Sequence, residues 1–392
     1  MSVASLTSEL VQAPADPLGG PPLRVVHIVQ TLKSGGAETL VRTLCPRLPE
    51  HGIDVSIVSI YDDNLEPLER ATLGIPIVGI KRAGRTDFGF FGALVRVLRE
   101  LRPDIAHCHL HSGKYAGRAA AIRAGVPVIV FTEHGDDLND PLRFAINRYL
   151  HAKTARFITF TQSQRQKLAR AEGVPESRIV VIPNGVAAPV SRSSRAELRA
   201  ALDIPPEAFA LYLPARMTAQ KNQSLALRAL AMLRDTGLPD CLLVLAGKGP
   251  DEAALRAEAV RLGILSQVRF LGFRSDAAEL SPAMDLFLMP SRWEKMPLAL
   301  GEAMLAGLPV ATTPWAGSAD FVRDGETAFV AVASGAEAFA DAIRRAQSDP
   351  ALRAAIVERA RSFALRRFDV DSTVRTHVDL YRSLVPAESR RL

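Results

Sequence analysis

The sequence predicts an α/β protein in which two doubly wound domains face each other across a cleft. Short β-branched runs alternate with stretches of helical apolar spacing, as expected for parallel strands joined by crossover helices. The predicted strands are apolar on both faces, which is typical of strands buried within a parallel sheet. A segment rich in Ser, Arg, Pro and Ala at residues 187–208 interrupts this alternation, which then starts again. Ligands of open α/β sheets bind at the carboxyl ends of strands, so we expect the functional residues in the loops that follow strands.

Strands are predicted in two series, one for each domain. The first series is Arg24–Val29, Ile53–Ile60, Pro76–Ile80, Ile105–His107, Val126–Phe131, Arg156–Phe160 and Ile179–Ile182. The second series is Phe209–Pro214, Cys241–Ala246, Val268–Leu271, Leu286–Met289, Pro309–Thr313 and Ala328–Val332. Helices are expected between these strands, and further helices near residues 336–347, 350–363 and 371–384.

These elements divide the 392 residues into five parts. We expect a flexible tail over residues 1–22, a first domain over residues 23–186, and a linker over residues 187–208 with a short helix at 195–202. A second domain covers residues 209–365, and residues 366–392 form a C-terminal helical segment.

The composition excludes several classes of protein. The longest uncharged stretch, Ala303–Ala319, is interrupted by Gly and Pro and predicts no transmembrane helix. The first 22 residues lack Lys and Arg and predict neither a signal nor a transit peptide. Three separated cysteines predict a reducing compartment, hence a cytoplasmic location. The net charge of +6 suits an anionic ligand or membrane surface, and no zinc-finger or RNP-like motif points to nucleic acid.

Two motifs of the first domain are suited to bind a ligand. Gly35 and Gly36 open a helix after the first strand, where glycine permits close approach and the helix N-terminus favours an anion. The alternative for this motif is a tight turn with Ser34 as N-cap. His134 follows a strand and points toward the cleft, where it could donate a hydrogen bond to a sugar or phosphate. The alternative is a loop histidine bonded to its own backbone.

A third motif, His107-Cys-His109-Leu-His111, places alternate histidines on one face of a strand end. Such spacing could ligate a metal, but no acidic partner motif lies nearby and the run leaves the strand for a turn. We therefore predict a polar strand end with at least one structural histidine, and no metal site.

The second domain has a cationic turn directly after its first strand. Arg216 and Lys221 lie five residues apart beside the start of a helix, and two cations with a helix N-terminus suit a diphosphate. A solvated charged loop is the alternative. Gly247, in Ala-Gly-Lys-Gly-Pro, lacks the flanking residues of a P-loop, so a backbone loop near a nucleotide is the remaining functional interpretation.

The segment from Ser291 to Ala303 contains two carboxylates eight residues apart. Glu294 lies in a loop after a strand, and Pro297 is suited to the first turn of a helix that contains Glu302. The helix N-terminus could hold a phosphate, Glu302 the ribose hydroxyls and Glu294 a sugar. Two unrelated surface glutamates are the alternative.

Taken in order, these motifs resemble glycosyltransferase family 4, the retaining enzymes of GT-B fold. The resemblance covers roughly residues 23–385 and rests on Ser34-Gly35-Gly36, His134, Arg216 with Lys221, and Glu294-x7-Glu302 followed by Ala306-Gly307-Leu308-Pro309-Val310. It implies two Rossmann-like domains, the first on the acceptor side and the second binding the nucleotide sugar, with the terminal helix crossing back. It also implies a metal-independent, retaining hexosyltransferase with a nucleoside-diphosphate sugar as donor substrate and no cofactor.

The resemblance implies a role for each side chain. Arg216 and Lys221 would bind the donor diphosphate, Glu302 the ribose, and Glu294 the hydroxyls of the donor sugar, with His134 beside that sugar. Backbone groups at Met296, Leu298 and Ala299 would crowd the sugar and phosphate, the Gly35–Gly36 loop would approach the phosphate, and Arg274 would flank the base. Lys295 stands where the family usually has Gly, which leaves the identity of the donor open.

The predicted function is transfer of a sugar to an acceptor hydroxyl in polysaccharide biosynthesis, with a sugar or lipid-linked glycan as acceptor. A basic and aromatic stretch suits peripheral contact with the inner face of the cell membrane: Lys81, Arg82, Arg85, Phe88, Phe90, Phe91, Arg96, Arg99 and Arg102. A core-packed helix with a solvated face is the alternative. Two other functions stay open: a sugar-nucleotide epimerase of the same fold, and a non-catalytic subunit that binds nucleotide sugars.

Overall fold

The computed structural model describes residues 21–386 except 33–34, 62–64, 66, 85–86, 88, 135–140, 238–239, 295 and 316, with the side chains of 68 and 141–145 also left out. Residues 1–20 of the predicted tail and Lys295 therefore lie outside the described residues. The chain divides into two compact units, residues 1–185 with 370–392, and residues 186–369.

The first unit is built on a sheet of seven parallel strands in the order β3-β2-β1-β4-β5-β6-β7. Its strands are β1 (Leu23–Val29), β2 (Ile53–Ser59), β3 (Ile77–Gly79), β4 (Ile105–His109), β5 (Val128–Thr132), β6 (Arg156–Thr159) and β7 (Ile179–Val181). Its helices are α1 (Gly36–Leu44), α2 (Pro67–Leu73), α3 (Gly89–Leu101), α4 (Leu110–Ser112), α5 (Arg118–Ala124), α6 (Pro141–Lys153) and α7 (Gln162–Glu172). The strand order reverses between β1 and β4, the position at which doubly wound sheets bind ligands.

The second unit is built on a sheet of six parallel strands in the order β10-β9-β8-β11-β12-β13. Its strands are β8 (Phe209–Pro214), β9 (Cys241–Ala246), β10 (Val268–Gly272), β11 (Leu286–Met289), β12 (Val310–Thr312) and β13 (Phe329–Val330). Its helices are α8 (Arg195–Ala201), α9 (Gln223–Asp235), α10 (Glu252–Arg261), α11 (Leu298–Leu305), α12 (Ala336–Ser348) and α13 (Pro350–Arg367). Here the order reverses between β8 and β11.

The predicted fold class is confirmed, because both units are doubly wound parallel sheets. The strand boundaries agree with the predicted ones to within two residues. The difference between prediction and structure that matters most for function is in β4, which continues to His109 instead of ending at His107. The extension is possible because the polar side chains of β4 are hydrogen-bonded where they are buried.

The segment predicted as a linker packs on the second unit. Helix α8 begins with a capping box between Ser194 and Glu197. The buried Arg199 guanidinium donates to the Ala283 carbonyl at 2.9 Å and to Asp285 at 2.5 Å. These contacts attach residues 195–201 to the end of the 3₁₀ segment that precedes β11.

The last helix, α14 (Val370–Leu384), belongs to the first unit. Its Thr373 hydroxyl donates to the Pro183 carbonyl at 2.8 Å, and its Arg382 donates to the His51 carbonyl at 2.9 Å. None of the described helices is both long and apolar enough to cross a lipid bilayer.

Candidate functional site

The loops after β8 and β11 meet at the point where the second sheet reverses its strand order. The turn after β8 is shaped by Asn222, which adopts a left-handed conformation at φ 54°. The Asn222 amide donates to the Pro290 carbonyl at 3.2 Å, and the Arg292 N–H donates to the Gln220 carbonyl at 2.9 Å. These bonds fix the cationic turn against the loop that contains Glu294.

Lys221 and Glu294, 73 residues apart in the chain, form an ion pair at this junction. Lys221 Nζ lies 2.6 Å from Glu294 Oε1, and the two side chains are 28% and 6% exposed. Arg216 lies in the same turn with its side chain exposed, and within the described residues its guanidinium has no hydrogen-bond or ion-pair partner. The turn therefore presents one paired cation and one unpaired cation.

Gly247 lies in the loop after β9 and lines the cationic turn. The Gly247 N–H donates to the Gly272 carbonyl at 2.7 Å, and the Met217 N–H donates to the Lys248 carbonyl at 3.1 Å. A Cβ on Gly247 would collide with the carbonyl of Ala215, and Gly247 also has a φ of +155° that favours glycine. The backbone of this loop thus approaches the turn more closely than a side chain would permit.

Helix α11 begins directly after the loop that contains Glu294, so its N-terminus lies at the end of that loop. The first helix N–H groups have no intrahelical acceptor, and here they belong to Leu298 and Ala299, beside the buried Met296. Glu302 lies within the second turn of this helix, and burial raises the pKa of its carboxyl above the ordinary value. Helix α11 therefore carries both a partial positive charge at its N-terminus and the half-buried carboxyl group of Glu302.

Arg274 lies in the loop after β10 and is paired. Its guanidinium donates to both carboxylate oxygens of Asp276, at 2.7 and 2.5 Å, and this bond raises the pKa of Arg274. The buried Tyr212 hydroxyl donates to the Ala277 carbonyl at 2.8 Å. Burial raises the pKa of Tyr212, and the charges that act on it belong to Asp276, Arg274 and Glu302. The charged groups of Asp276, Arg274 and Glu302 therefore all lie near the Tyr212 hydroxyl.

In the first unit, Gly35 is the N-cap of α1 with a φ of 144°, and a Cβ there would collide with the Glu38 carboxylate. Gly36 is the first residue of this helix. Burial raises the pKa of Glu38, opposed by hydrogen bonds from its own backbone and from Thr31. The helix start that the sequence predicts for an anion is thus lined by a carboxyl group.

His134 follows β5 next to a buried ionic network. The preceding residue, Glu133, pairs with Lys114 at 3.2 Å, and Lys114 also pairs with Glu172 at 2.5 Å. Burial would lower the pKa of Lys114, but its two acidic partners raise it. His151 adds a contact of 2.9 Å to Glu172. This network fixes the backbone beside His134.

A group of buried histidines lies at the strand reversal of the first sheet. His27 of β1 is paired in register with His107 of β4, so both side chains lie on one face of the sheet, with His109 two residues further along β4. One ring nitrogen from each of these three residues lies within 4.8 Å of one from each of the others. His109 is hydrogen-bonded to His134 at 3.1 Å. His134 thus belongs to a larger polar cluster.

Sequence reasoning missed three members of this cluster. His27 is the one polar residue in the run Val25–Val29 of β1, and His377 and Tyr381 are one turn apart on α14. All three are essentially inaccessible to solvent. The available signals were the histidine inside a buried strand and the histidine and tyrosine on the buried face of the last helix.

The basic and aromatic stretch is packed against the protein. The Arg82 guanidinium lies 4.1 Å from the Phe90 ring centroid and 5.6 Å from that of Tyr61. Phe90 and Phe91 pack against the core of the first unit. These contacts favour the alternative of a core-packed helix with a solvated face, while Arg85 and Phe88 lie outside the described residues.

Two family models match successive parts of the chain. The model described as Glycosyltransferase Family 4 matches residues 34–188. The model described as Glycosyl transferases group 1 matches residues 194–363.

Individual proteins resemble the chain over most of its length. The putative glycosyltransferase EpsD of Bacillus subtilis (strain 168) is 30% identical over 322 residues, covering 78% of this chain and 83% of EpsD. The UDP-Gal:alpha-D-GlcNAc-diphosphoundecaprenol alpha-1,3-galactosyltransferase of Escherichia coli is 27% identical over 385 residues, covering 93% and 97%. The crystal structure of Anabaena Alr3699/HepE in complex with UDP and glucose has a TM-score of 0.80 and 22% identity, covering 92% of this chain and 100% of that one. This structural similarity confirms the predicted two-domain fold.

Proposed function

Because the chain belongs to glycosyltransferase family 4, enzymes of GT-B fold with nucleotide-sugar donors, we propose that it transfers a hexosyl group with retention of anomeric configuration and without a metal ion. The observation that carries the proposal is the 2.6 Å pair of Lys221 with Glu294, beside the exposed Arg216 at the strand reversal of the second sheet.

The donor diphosphate binds the cationic turn. Arg216 supplies a planar guanidinium, Lys221 a compact ammonium, and the first N–H groups of α11 a partial positive charge. When the diphosphate arrives, it competes with Glu294 for Lys221, which frees the Glu294 carboxylate to accept hydrogen bonds from hydroxyls of the donor sugar. In the empty site the ion pair thus neutralises Lys221 and Glu294, and it releases both groups when the donor binds.

The nucleoside lies along the neighbouring loops. Glu302 accepts hydrogen bonds from the ribose hydroxyls, and its half-buried position supports a directional contact. The Gly247 loop approaches the nucleotide through its backbone, since no Cβ occupies the space beside Ala215. Arg274, held by Asp276, lies beside the base.

The chemical step exchanges one C–O bond for another on the same face of the sugar. The bond between the anomeric carbon and the leaving phosphate oxygen breaks, and a bond to the acceptor oxygen forms. The acceptor proton moves to the leaving phosphate oxygen. Negative charge grows on the diphosphate during this step, so Arg216, Lys221 and the α11 N-terminus stabilise the transition state without a metal.

The acceptor is a sugar hydroxyl on a lipid-linked or cell-surface glycan precursor at the cytoplasmic face of the membrane. Support comes from the Escherichia coli relative, whose name specifies a diphosphoundecaprenol-linked acceptor and which is matched over 97% of its length. Arg96 and Arg99 form an exposed basic face on α3 that suits an anionic membrane surface.

A donor panel tests the proposal. The purified chain is incubated with UDP-, GDP-, ADP- and dTDP-sugars, each with and without a short-chain diphospholipid-linked sugar, and released nucleoside diphosphate is measured. We expect acceptor-dependent release that persists in EDTA, and a product whose anomeric proton shows the donor's configuration by NMR. Co-sedimentation with anionic and zwitterionic vesicles tests the membrane contact separately.

Matched lysine variants provide the control. Lys221→Ala should slow release by about 10²–10³-fold, while replacement of Lys153, an exposed lysine at the end of α6, with Ala should not change it. Interconversion of donors without acceptor would identify an epimerase, and donor binding without turnover would identify a non-catalytic subunit. An inverted product would contradict the retaining mechanism.

A further inference from the structure

The buried histidines of the first unit form a continuous path of hydrogen bonds that starts at His134. His134 Nε2 lies 3.1 Å from His109 Nδ1, and His109 Nε2 lies 3.0 Å from His27 Nδ1. His27 Nε2 then lies 3.4 Å from the Tyr381 hydroxyl. Both ring nitrogens of His109 and of His27 are therefore engaged within the path.

The path continues beyond Tyr381 on the same face of the sheet. The Tyr381 hydroxyl lies 2.6 Å from His107 Nδ1, and His107 Nε2 lies 2.7 Å from the Thr132 hydroxyl. Strands β1, β4 and β5 supply these groups because their residues are paired in register, and α14 supplies the connecting hydroxyl. One helix residue thus joins two halves of the path.

The three interior imidazoles are uncharged at neutral pH. His27, His107 and His109 are fully inaccessible to solvent. Burial lowers the pKa of His27 to about 3 and lowers the pKa values of His107 and His109 well below the ordinary value. A neutral imidazole has one N–H donor and one bare nitrogen acceptor.

Only two proton arrangements satisfy every contact along such a path. In the first, Thr132 donates to His107, His107 to Tyr381, and each following group donates to the next, so that His134 Nε2 accepts. In the second, every donor and acceptor is reversed, so that His134 Nε2 donates. Any mixture of the two either leaves a pair of donors or a pair of acceptors facing each other, or makes the Tyr381 hydroxyl accept from both sides and leaves its own proton without an acceptor, and both are costly in a buried site.

We propose that His109, His27 and Tyr381 are positioning residues that couple the tautomer of His134 to that of His107, because each of the two arrangements puts the proton on the same ring nitrogen, Nδ1 or Nε2, of both residues. The path thereby determines whether His134 Nδ1 presents a donor or an acceptor to its surroundings. The tautomer itself is a property of the first unit alone.

A metal held by His27, His107 and His109 is the competing explanation, and the contacts disfavour it. Each of these nitrogens already faces a hydrogen-bond partner instead of a shared central point. Among the described residues, the charged-group interactions of these three histidines are with other histidines, so no carboxylate would balance a buried divalent cation.

The test reads the tautomer of His134 directly. Protein with ¹⁵N-labelled histidine rings is examined by long-range ¹H–¹⁵N correlation NMR, which separates protonated from bare ring nitrogens, and His134 is assigned from the signals that His134→Gln removes. In the wild-type chain, His134 and His107 (the latter assigned from the signals that His107→Gln removes) should carry the proton on the same ring nitrogen. Tyr381→Phe removes the hydroxyl that joins the two halves, so the tautomer populations of His134 and His107 should no longer match.

Tyr212→Phe is the matched control, because it removes another buried tyrosine hydroxyl, bonded to Ala277 in the second unit. It should leave the His134 signals unchanged. Matching tautomers of His134 and His107 in Tyr381→Phe would overturn the proposal, and so would a stoichiometric metal retained by the purified wild-type chain.

Failure of the proposed function is distinguishable from failure of this inference. A chain that turns over none of the nucleotide sugars contradicts the transferase proposal, while the NMR result needs no donor and keeps its meaning for the tautomer.

Discussion

Lys221 Nζ lies 2.6 Å from Glu294 Oε1, although the two residues are separated by 73 positions in the chain. The Glu294 side chain is almost fully covered, whereas Lys221 retains access to solvent. A cation that is accessible from one side and held by an acid on the other can transfer to a stronger anion. The pair therefore links the stability of the empty site to the binding of a diphosphate.

Replacing Lys221 with Ala should separate catalysis from folding. Loss of a cation at the leaving group should reduce kcat/KM by about 10²–10³-fold. The covered Glu294 carboxylate loses its partner, which should lower the free energy of unfolding by about 1–3 kcal/mol. Steady-state kinetics and urea unfolding measure the two effects.

A double variant provides the control for that result. Lys221→Ala combined with Glu294→Gln removes the unpaired charge, so most of the lost stability should return while activity stays low. Full activity in the double variant would exclude a role for Lys221 at the leaving group.

Glu302 should affect nucleotide affinity and stability in opposite directions. Its pKa is raised by burial, so the native state binds more protons than the unfolded state above the ordinary pKa, and stability falls as pH rises through that window. Glu302→Gln should therefore increase the melting temperature at pH 7.5. It should also weaken binding of the nucleoside diphosphate by about 10–100-fold, measured by calorimetry, because a charged acceptor is lost.

The outcome that contradicts this prediction is a Glu302→Gln chain with unchanged nucleotide affinity. It would place Glu302 outside the nucleotide site, whatever the effect on stability.

Gly247→Ala should disrupt the loop after β9. The added methyl group would meet the Ala215 backbone, which cannot rotate away, and Gly247 has a φ of +155°. We expect a loss of stability of at least about 1–3 kcal/mol together with loss of nucleotide binding. Gly92→Ala, in helix α3 where no atom lies within 4 Å of the new Cβ, should instead stabilise by about 0.5–1 kcal/mol. Thermal unfolding of both variants tests the contrast, which equal effects would refute.

The buried histidines should make the chain unstable in mild acid. The groups that face one another are His27, His107, His109, His134, His377, Tyr381 and Cys45. The pKa of His27 is about 3 and that of His377 about 4, so below pH 6.5 the unfolded state binds more protons. Stability is thus present above pH 6.5 and is lost as pH falls, by about 1.4 kcal/mol per pH unit for each such histidine.

Urea unfolding at pH 7.5 and pH 5.5 measures this loss. His377→Gln removes one titrating group that lies outside the hydrogen-bonded path and should reduce the difference between the two pH values by about 1.4 kcal/mol. Identical midpoints at both pH values in the wild-type chain would contradict the prediction.

The sequence predicts the strands and the second-unit site well, and for a physical reason. Apolar parallel strands such as Cys241–Ala246 are short uniform runs whose ends are marked by Gly and Pro. Doubly wound topology then brings the loops after β8 and β11 together, so Lys221 and Glu294 can be expected to meet. Their direct pairing, however, depends on the left-handed backbone conformation of Asn222, which no local sequence pattern predicts.

The histidine cluster could be predicted only in part. Local spacing identifies His107 and His109 as neighbours on one face of a strand. The partners His27 and Tyr381 are 354 residues apart and meet through strand register and the return of α14, neither of which is encoded within a short window. A buried polar network is a tertiary property, since each member is acceptable in the core only when all its partners are present.

Helix α14 is translated after the whole second unit, yet its Tyr381 contacts histidines that leave the ribosome 274 and 354 residues earlier. While the second unit is being synthesised, the nascent N-terminal half therefore displays an unfinished polar surface on β1 and β4. The second unit, whose residues are contiguous, has no such delay. A chain truncated before residue 370 would lack the helix that completes the first unit. Its first unit would then persist as a partly folded intermediate, which chaperones and proteases recognise.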